Sequence, residues 1–287
     1  MGAIFRHELR NYFHSLTAYV FGAFLLAVVG LGSVLYNLQA AVSNFEFVLS
    51  FASIIFVVIV PILTMRTLAE ERRQRTDQLL YSLPITTTQV VLGKYLALLV
   101  VYLIPLAVIS LYPLLFSQFG DVYLPTSYGS LFAFFMMGAA LLAVGMFLSS
   151  LTDNQGFAAG IGIAAILLNY YSVSLAEYTS STAMGSLIAL YVIALLLGVV
   201  IRGLTRNENL AYGVTFALIA ALSVAYFVNS TAFEGLLPDI MTKLSLFRQF
   251  NSFVNGAFDL TAIVYYVSVM GFFLFLSVQS MEKRRYN

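Results

Sequence analysis

Cysteine is absent, histidine is limited to His7 and His14, and charged residues make up only 9% of the 287 positions. The first absence excludes disulfides, thiolate metal sites and a cysteine nucleophile. The two histidines sit near the N-terminus and read as interfacial polar residues. No His/Glu cluster has zinc spacing, and no histidine is placed to activate a serine or threonine. A soluble domain of this length would carry about 25% charged residues. Charge this scarce puts most of the chain in lipid and leaves no room for a soluble catalytic domain. A net charge of +1 gives no basis for a nucleic-acid partner. A phosphate-cradling P-loop is also missing: Gly93-Lys94 is followed by Tyr95 and lacks the glycine-rich lead-in. The centres of the apolar runs are almost free of charge, which weakens a proton- or sodium-coupled mechanism. Asn169, the most polar residue well inside a run, reads as an interhelical hydrogen-bonding group. The chain is thus not expected to be an enzyme by itself, and any energy must come from a partner.

What is present is hydrophobic, 61% of the chain. A spanning helix needs about 20 apolar residues. The runs predict an all-α integral membrane protein of about eight transmembrane helices: 17–38, 47–65, 92–116, 128–150, 156–173, 184–201, 210–228 and 260–281. The first is too long for a signal-peptide core and reads as an uncleaved span. With both termini in the cytoplasm, every basic residue except Lys243 and Arg248 falls on the cytoplasmic side. The positive-inside rule expects that bias. The outer loops then hold Glu46, Asp121, Glu177, Glu234, Asp239 and Asp259. Gly156, Gly160 and Gly162 form a small-residue face suited to close helix approach.

Three segments are neither spans nor simple loops. Ile4, Phe5, Leu9, Tyr12 and Phe13 recur at helical spacing, with Arg6, Glu8 and Arg10 on the other face, predicting an interfacial amphipathic helix. Residues 67–91 carry a dense charged face made by Glu70, Glu71, Arg72, Arg73, Arg75 and Asp77, followed by Leu79, Leu80 and Leu83. Pro84 stops this helix, and Thr86 with Gln89 has capping-box spacing for the next. A helix over 69–83 would be about 22 Å long at 1.5 Å per residue. Taken alone it reads equally as a solvated connector. Residues 230–259 predict two short amphipathic helices in the outer leaflet, with Pro238 near the start and Gly256 at the end. Their aromatic face, Phe247, Phe250, Phe253 and Phe258, is a candidate extracytoplasmic gate. A surface hairpin that merely anchors the last helix is the competing reading.

The 66–94 segment closely resembles the cytoplasmic loop of the ABC-2 family of ABC-transporter permeases. The resemblance rests on Arg66, Ala69-Glu70-Glu71-Arg72, Thr76, Leu79-Leu80, Pro84 and Gly93-Lys94, with Arg75 standing where the family usually has glycine. The stretch Ser149 to Gln155 is similar to the loop after the family's fourth span. Leu244 to Leu260 and the basic tail Glu282-Lys283-Arg284-Arg285 resemble the permease of gliding-motility ABC systems. Residues 184–228 look like a transmembrane hairpin added to a six-span plan within a single permease domain of residues 1–287; residues 1–173 and 243–287 are the family-like parts.

The resemblance implies a permease in the bacterial plasma membrane, paired with a second copy or a homologous permease and powered by a separate ATPase subunit, itself a dimer. That subunit would hold the ATP and magnesium, and this chain would need no cofactor. Arg66, Ala69, Glu70, Glu71, Arg72, Arg73, Arg75, Thr76, Leu79, Leu80 and Pro84 would form the ATPase-coupling element. The apolar, aromatic-rich interior suits export of a lipid-like, peptide or other amphiphilic cargo. Three alternatives stay open: a permease that pulls on an extracytoplasmic partner protein and passes no solute, a secondary transporter, and a membrane receptor or scaffold.

Overall fold

The computed structural model describes residues 1–74, 86–205 and 208–285. Its described residues are helical, with no strand among them. Helix α1 is Gly2–His14, α2 is Leu16–Gly32 and runs on into a π-helix, Ser33–Gln39. Then follow α3 Phe45–Ser53, α4 Phe56–Thr64, α5 Ala69–Gln74, α6 Thr87–Ile109, α7 Leu111–Phe116 and α8 Leu124–Ser149. The second part of the chain holds α9 Gln155–Tyr178, α10 Ala183–Thr205, α11 Glu208–Val228, α12 Leu236–Lys243, α13 Leu246–Val254 and α14 Leu260–Arg285.

Among the described residues, six segments are long and apolar enough to cross a membrane: Leu16–Gln39, Thr87–Phe116, Leu124–Ser149, Gln155–Tyr178, Ala211–Val228 and Leu260–Lys283. A seventh arises if α3 and its continuation Phe56–Glu71 are taken as one span bent by 58°. Ala183–Val199 is a shorter apolar helix. Length and composition therefore give six or seven spans where the apolar runs suggest about eight. Two features account for the difference. The run 47–65 is broken, and the apolar part of α10 ends before its basic tip. At the break, Ser53 Oγ donates to Ser50 O at 2.7 Å. Such back-bonding competes with the helical ladder and bends helices.

Local chemistry fixes several ends. The hydroxyl of Thr86 accepts from Gln89 N, and the Gln89 side chain accepts from Thr86 N, a capping box that starts α6. Pro125 lies in the first turn of α8, where its missing N–H is harmless. Pro61 and Pro105 lie inside helices, and each removes one ladder bond.

The chain divides into two compact units, residues 1–170 with 249–287, and residues 171–248. The first has an aromatic centre. Phe56 and Phe134 pack at 4.7 Å between ring centroids, Phe56 meets Tyr102 edge-on at 5.8 Å, and Phe250 meets Phe134 at 5.8 Å. The buried Tyr102 hydroxyl donates to Phe134 O at 2.8 Å, so its polar end is satisfied. Close helix contacts depend on glycine. A Cβ on Gly138 would strike the Tyr102 ring, one on Gly145 would strike Thr64, and one on Gly162 would sit 3.0 Å from Pro61.

In the second unit α10 and α11 form a hairpin. The Tyr191 and Ser223 hydroxyls bond at 2.7 Å, Gly198 lies against Thr215, and Arg202 pairs with Glu208 near the tip. Arg206 and Asn207 lie outside the described residues. Gly235 N donates to Ser181 O at 2.8 Å, tying the 3-10 turn Ser230–Phe233 and α12 to the base of α10. Leu195, Leu196, Val199, Phe216, Val224 and Phe227 are exposed.

Candidate functional site

The charged segment after the bent span is gripped at its root from three sides. Ser149, at the last turn of α8 and fully buried, accepts from Leu68 N at 3.3 Å and Ala69 N at 3.2 Å, and donates to Met65 O at 3.1 Å. One hydroxyl thus satisfies two backbone donors and one acceptor where α5 leaves the span. Lys94, in the second turn of α6, is 2% exposed. Its ammonium lies 2.8 Å from a Glu8 oxygen and 2.8 Å from a Glu71 oxygen. One cation therefore ties α1, α5 and α6 together, across separations in chain that no local rule connects.

The glycine beside it lets the pair form. A Cβ on Gly93 would lie 3.1 Å from Ile4 Cγ2, so glycine there lets α1 lie close against α6. The Gly93-Lys94 dipeptide thus has two jobs: close approach and charge. Tyr12, also on α1, is buried. Burial, and after it the nearby Glu8 carboxylate, push its phenol well above the ordinary value. Further along this end of the first unit, Thr87 Oγ1 donates to Glu282 at 2.8 Å and Ser280 Oγ donates to Ser150 O at 3.1 Å.

Of the residues expected to couple, Arg66 and Arg73 are exposed, Ala69 is fully buried, and Glu70 and Glu71 are half-buried. Arg72 is helical in α5. Arg75, Thr76, Leu79, Leu80 and Pro84 lie outside the described residues. The segment is therefore rooted in the bundle by Ala69 and Glu71 while Arg66 and Arg73 face outward.

The aromatic face expected to form a gate is split. Phe247, Phe250 and Phe253 are buried, whereas Phe258 is 67% exposed. Phe250 packs on Phe134 of α8, and Ser130 Oγ donates to Phe253 O at 2.9 Å. Phe258 meets Phe253 edge-on at 5.5 Å. Between them Gly256 takes φ +82°, a left-handed conformation that glycine adopts without strain.

One buried charge escaped the sequence reading. Glu46, expected in an outer loop, lies in the first turn of α3 and is 1% exposed. Ser127 Oγ donates to its Oε1 at 3.0 Å. Asn44, an N-cap residue type just before an apolar run, is the only local hint that a helix begins here.

Residues 31–184 match the family described as ABC-2 family transporter protein, more than half of the chain. The chain belongs to the ABC-2 transporter family. The match takes in the bent second span, the root of the charged segment, Gly93-Lys94 and Ser149; α1 and the segment carrying Phe247 to Phe258 lie outside it. No curated protein and no solved structure matches the chain. Family membership and the six apolar helices make it a multi-pass ABC-transporter permease, a membrane component rather than the catalytic one. ABC-2 permeases generally work with an ABC ATPase subunit.

Proposed function

We propose that this permease exports a lipid-like, peptide or other amphiphilic substrate across the bacterial plasma membrane, driven by a separate ATPase dimer that docks on the segment beginning at Arg66. Two permease copies, or this chain and a homologue, pair to complete the pathway, and both termini face the cytoplasm. The observation that carries this reading is the threefold grip on the root of the charged segment. Ser149 joins it to α8, and Lys94, through Glu71 and Glu8, joins it to α6 and α1. A docked ATPase pushing on Arg66 and Arg73 would therefore move three helices at once. The broken second span, which enters α5, supplies a joint for that movement. Counting α3–α4 and α10 as spans gives eight and keeps the termini on one side, with 184–228 as an added hairpin. Phe258 and its neighbours would then close or line the outer end of the pathway.

Docking is tested with Arg66→Glu and Arg73→Glu together. Both side chains are exposed, so the double variant should fold and span normally. It is expected to lose co-purification with its ATPase and stimulated ATP hydrolysis. Retention of both would remove the coupling role. A permease that only pulls on an outer partner protein would keep ATPase coupling and move no substrate in reconstituted vesicles. A secondary transporter would move substrate on an ion gradient without ATPase.

A further inference from the structure

The described membrane helices hold a second buried charge, and it is built differently from Lys94. Lys94 has two opposite charges against it. Glu46 has none: among the described residues no cation pairs with it, and its Oε2 is buried without a hydrogen-bond partner. Only the Ser127 hydroxyl answers it, at Oε1. An ionised carboxylate withdrawn from water is unfavourable unless something neutralises it. In an apolar bundle such a residue marks a functional site more often than a structural one.

Three more oxygens have the same deficit; Ser150 Oγ lies just past the end of α8, and the other two lie on the element packed beside α3. Ser33 Oγ and Asn37 Oδ1 are buried without partners. They stand four residues apart on the π-helix Ser33–Gln39, whose 4.4-residue turn is of nearly that length, so they share one face. Asn37 uses its amide nitrogen to donate to Val42 O at 2.7 Å, which leaves the amide oxygen as its free end. The glycine just before this segment, Gly32, lies against Val48 and Phe51 of α3, which brings the two elements into contact. π-helical turns inside membrane helices are uncommon and concentrate at functional sites. The unfilled atoms are thus a carboxylate, an amide carbonyl and a hydroxyl. That donor set suits a hard cation and repels an anion.

We propose that the π-helix and α3 form a site for a small monovalent metal cation, sodium or potassium, with Glu46 Oε2 supplying the charge and Asn37 Oδ1 and Ser33 Oγ the neutral ligands. Ser127 holds the carboxylate in place through Oε1. The bound ion would fasten the outer half of the bent second span to the first span. Its occupancy would bias the 58° joint that leads into α5. The site does not depend on the export reading and stands or falls separately from it.

The test uses the full chain, purified in detergent. Thermal unfolding is followed while sodium or potassium chloride replaces N-methylglucamine chloride at constant ionic strength. A ligand bound only by the folded state raises the midpoint with concentration. The wild type is expected to show a saturable rise of about 3 °C or more with one of the two metals. Glu46→Gln, which keeps shape and removes charge, should show no such rise. If Glu46→Gln fails to fold, Glu46→Asp takes its place, and the rise should then need a higher metal concentration. Binding of radioactive sodium or rubidium to wild type, at one ion per chain, gives a measure that needs no variant. An indifferent midpoint with no bound ion would overturn the site. So would an undiminished rise in Glu46→Gln, or the full rise from acidification alone with no metal present.

Discussion

At the scale of single residues, the molecule separates two kinds of buried charge. Lys94 is compensated twice, so removing it leaves Glu8 and Glu71 facing each other without a cation. Lys94→Met should lower folding stability by about 3 kcal/mol, the range for breaking a buried pair. Glu71→Gln leaves the Glu8 contact intact and should cost clearly less. Thermal midpoints of the three proteins in one detergent check the order. Tyr12 offers a pH signature at the same place. Its pKa is raised in the fold, so the folded state keeps a proton that the unfolded chain loses above about pH 10. Its contribution is therefore whole below pH 10 and fades as pH climbs through the folded value. Tyr12→Phe should make the alkaline fall of stability shallower than in wild type; an unchanged slope would remove burial of the phenol as its cause. Of these residues the sequence showed Gly93-Lys94 as a motif and Glu8 as a polar face. That they meet could not be read, because the ion pairs join residues 86 and 23 positions apart, and no periodicity spans such distances. Glu46 was misread for a related reason: a lone carboxylate near the edge of an apolar run looks like a loop residue until its burial is seen.

At the scale of elements, apolar runs located most helices to within a few residues, because lipid exposure demands long uninterrupted hydrophobicity. The capping box at Thr86 was equally plain; of the charged helix expected over 69–83, only Ala69–Gln74 falls among the described residues. Breaks were not plain. The bend between Ser53 and Phe56 and the π-turn at Ser33–Gln39 arise from hydrogen-bond rearrangement beside isolated polar residues, Ser53 and Asn37 among them, that the hydrophobic pattern does not set apart. Glycines show the same limit. The sequence pointed to the Gly156, Gly160 and Gly162 face; Gly162 does lie close to Pro61, but Gly156 meets only Asn154 and Gly160 meets nothing within the chain, while Gly138 and Gly145, which the sequence did not single out, make close contacts on α8. Gly138→Ala should strongly destabilise the first unit because a Cβ there overlaps the Tyr102 ring; Gly160→Ala should be neutral or slightly stabilising. The aromatic face divides by the same logic. Phe250→Ala empties a core position and should cost about 3–5 kcal/mol in stability. Phe258→Ala removes an exposed ring and should leave stability unchanged, so it isolates any gating role. Normal assembly with lost transport in Phe258→Ala supports a gate, and full transport with normal assembly removes Phe258 from it.

At the scale of the whole molecule, a multi-pass ABC-2 permease is proposed to be driven by a separate ATPase. The hairpin of α10 and α11 should span, with its tip on the same side as both termini. A single cysteine in place of the exposed Glu208 has no competing thiol, since the chain contains none. It should resist an impermeant thiol reagent applied to intact cells and react after lysis; rapid labelling from outside would reverse the tip. The central claim is that this permease is driven through the segment rooted by Ala69, Glu71 and Ser149. The most direct measurement is purification of the tagged chain from its native membrane, with mass spectrometry of what accompanies it. An ABC ATPase is expected in near-equal amount with wild type, and its loss with the Arg66→Glu, Arg73→Glu chain at unchanged expression. Recovery of wild type without any ATPase, or of the double variant with its full complement, would contradict it.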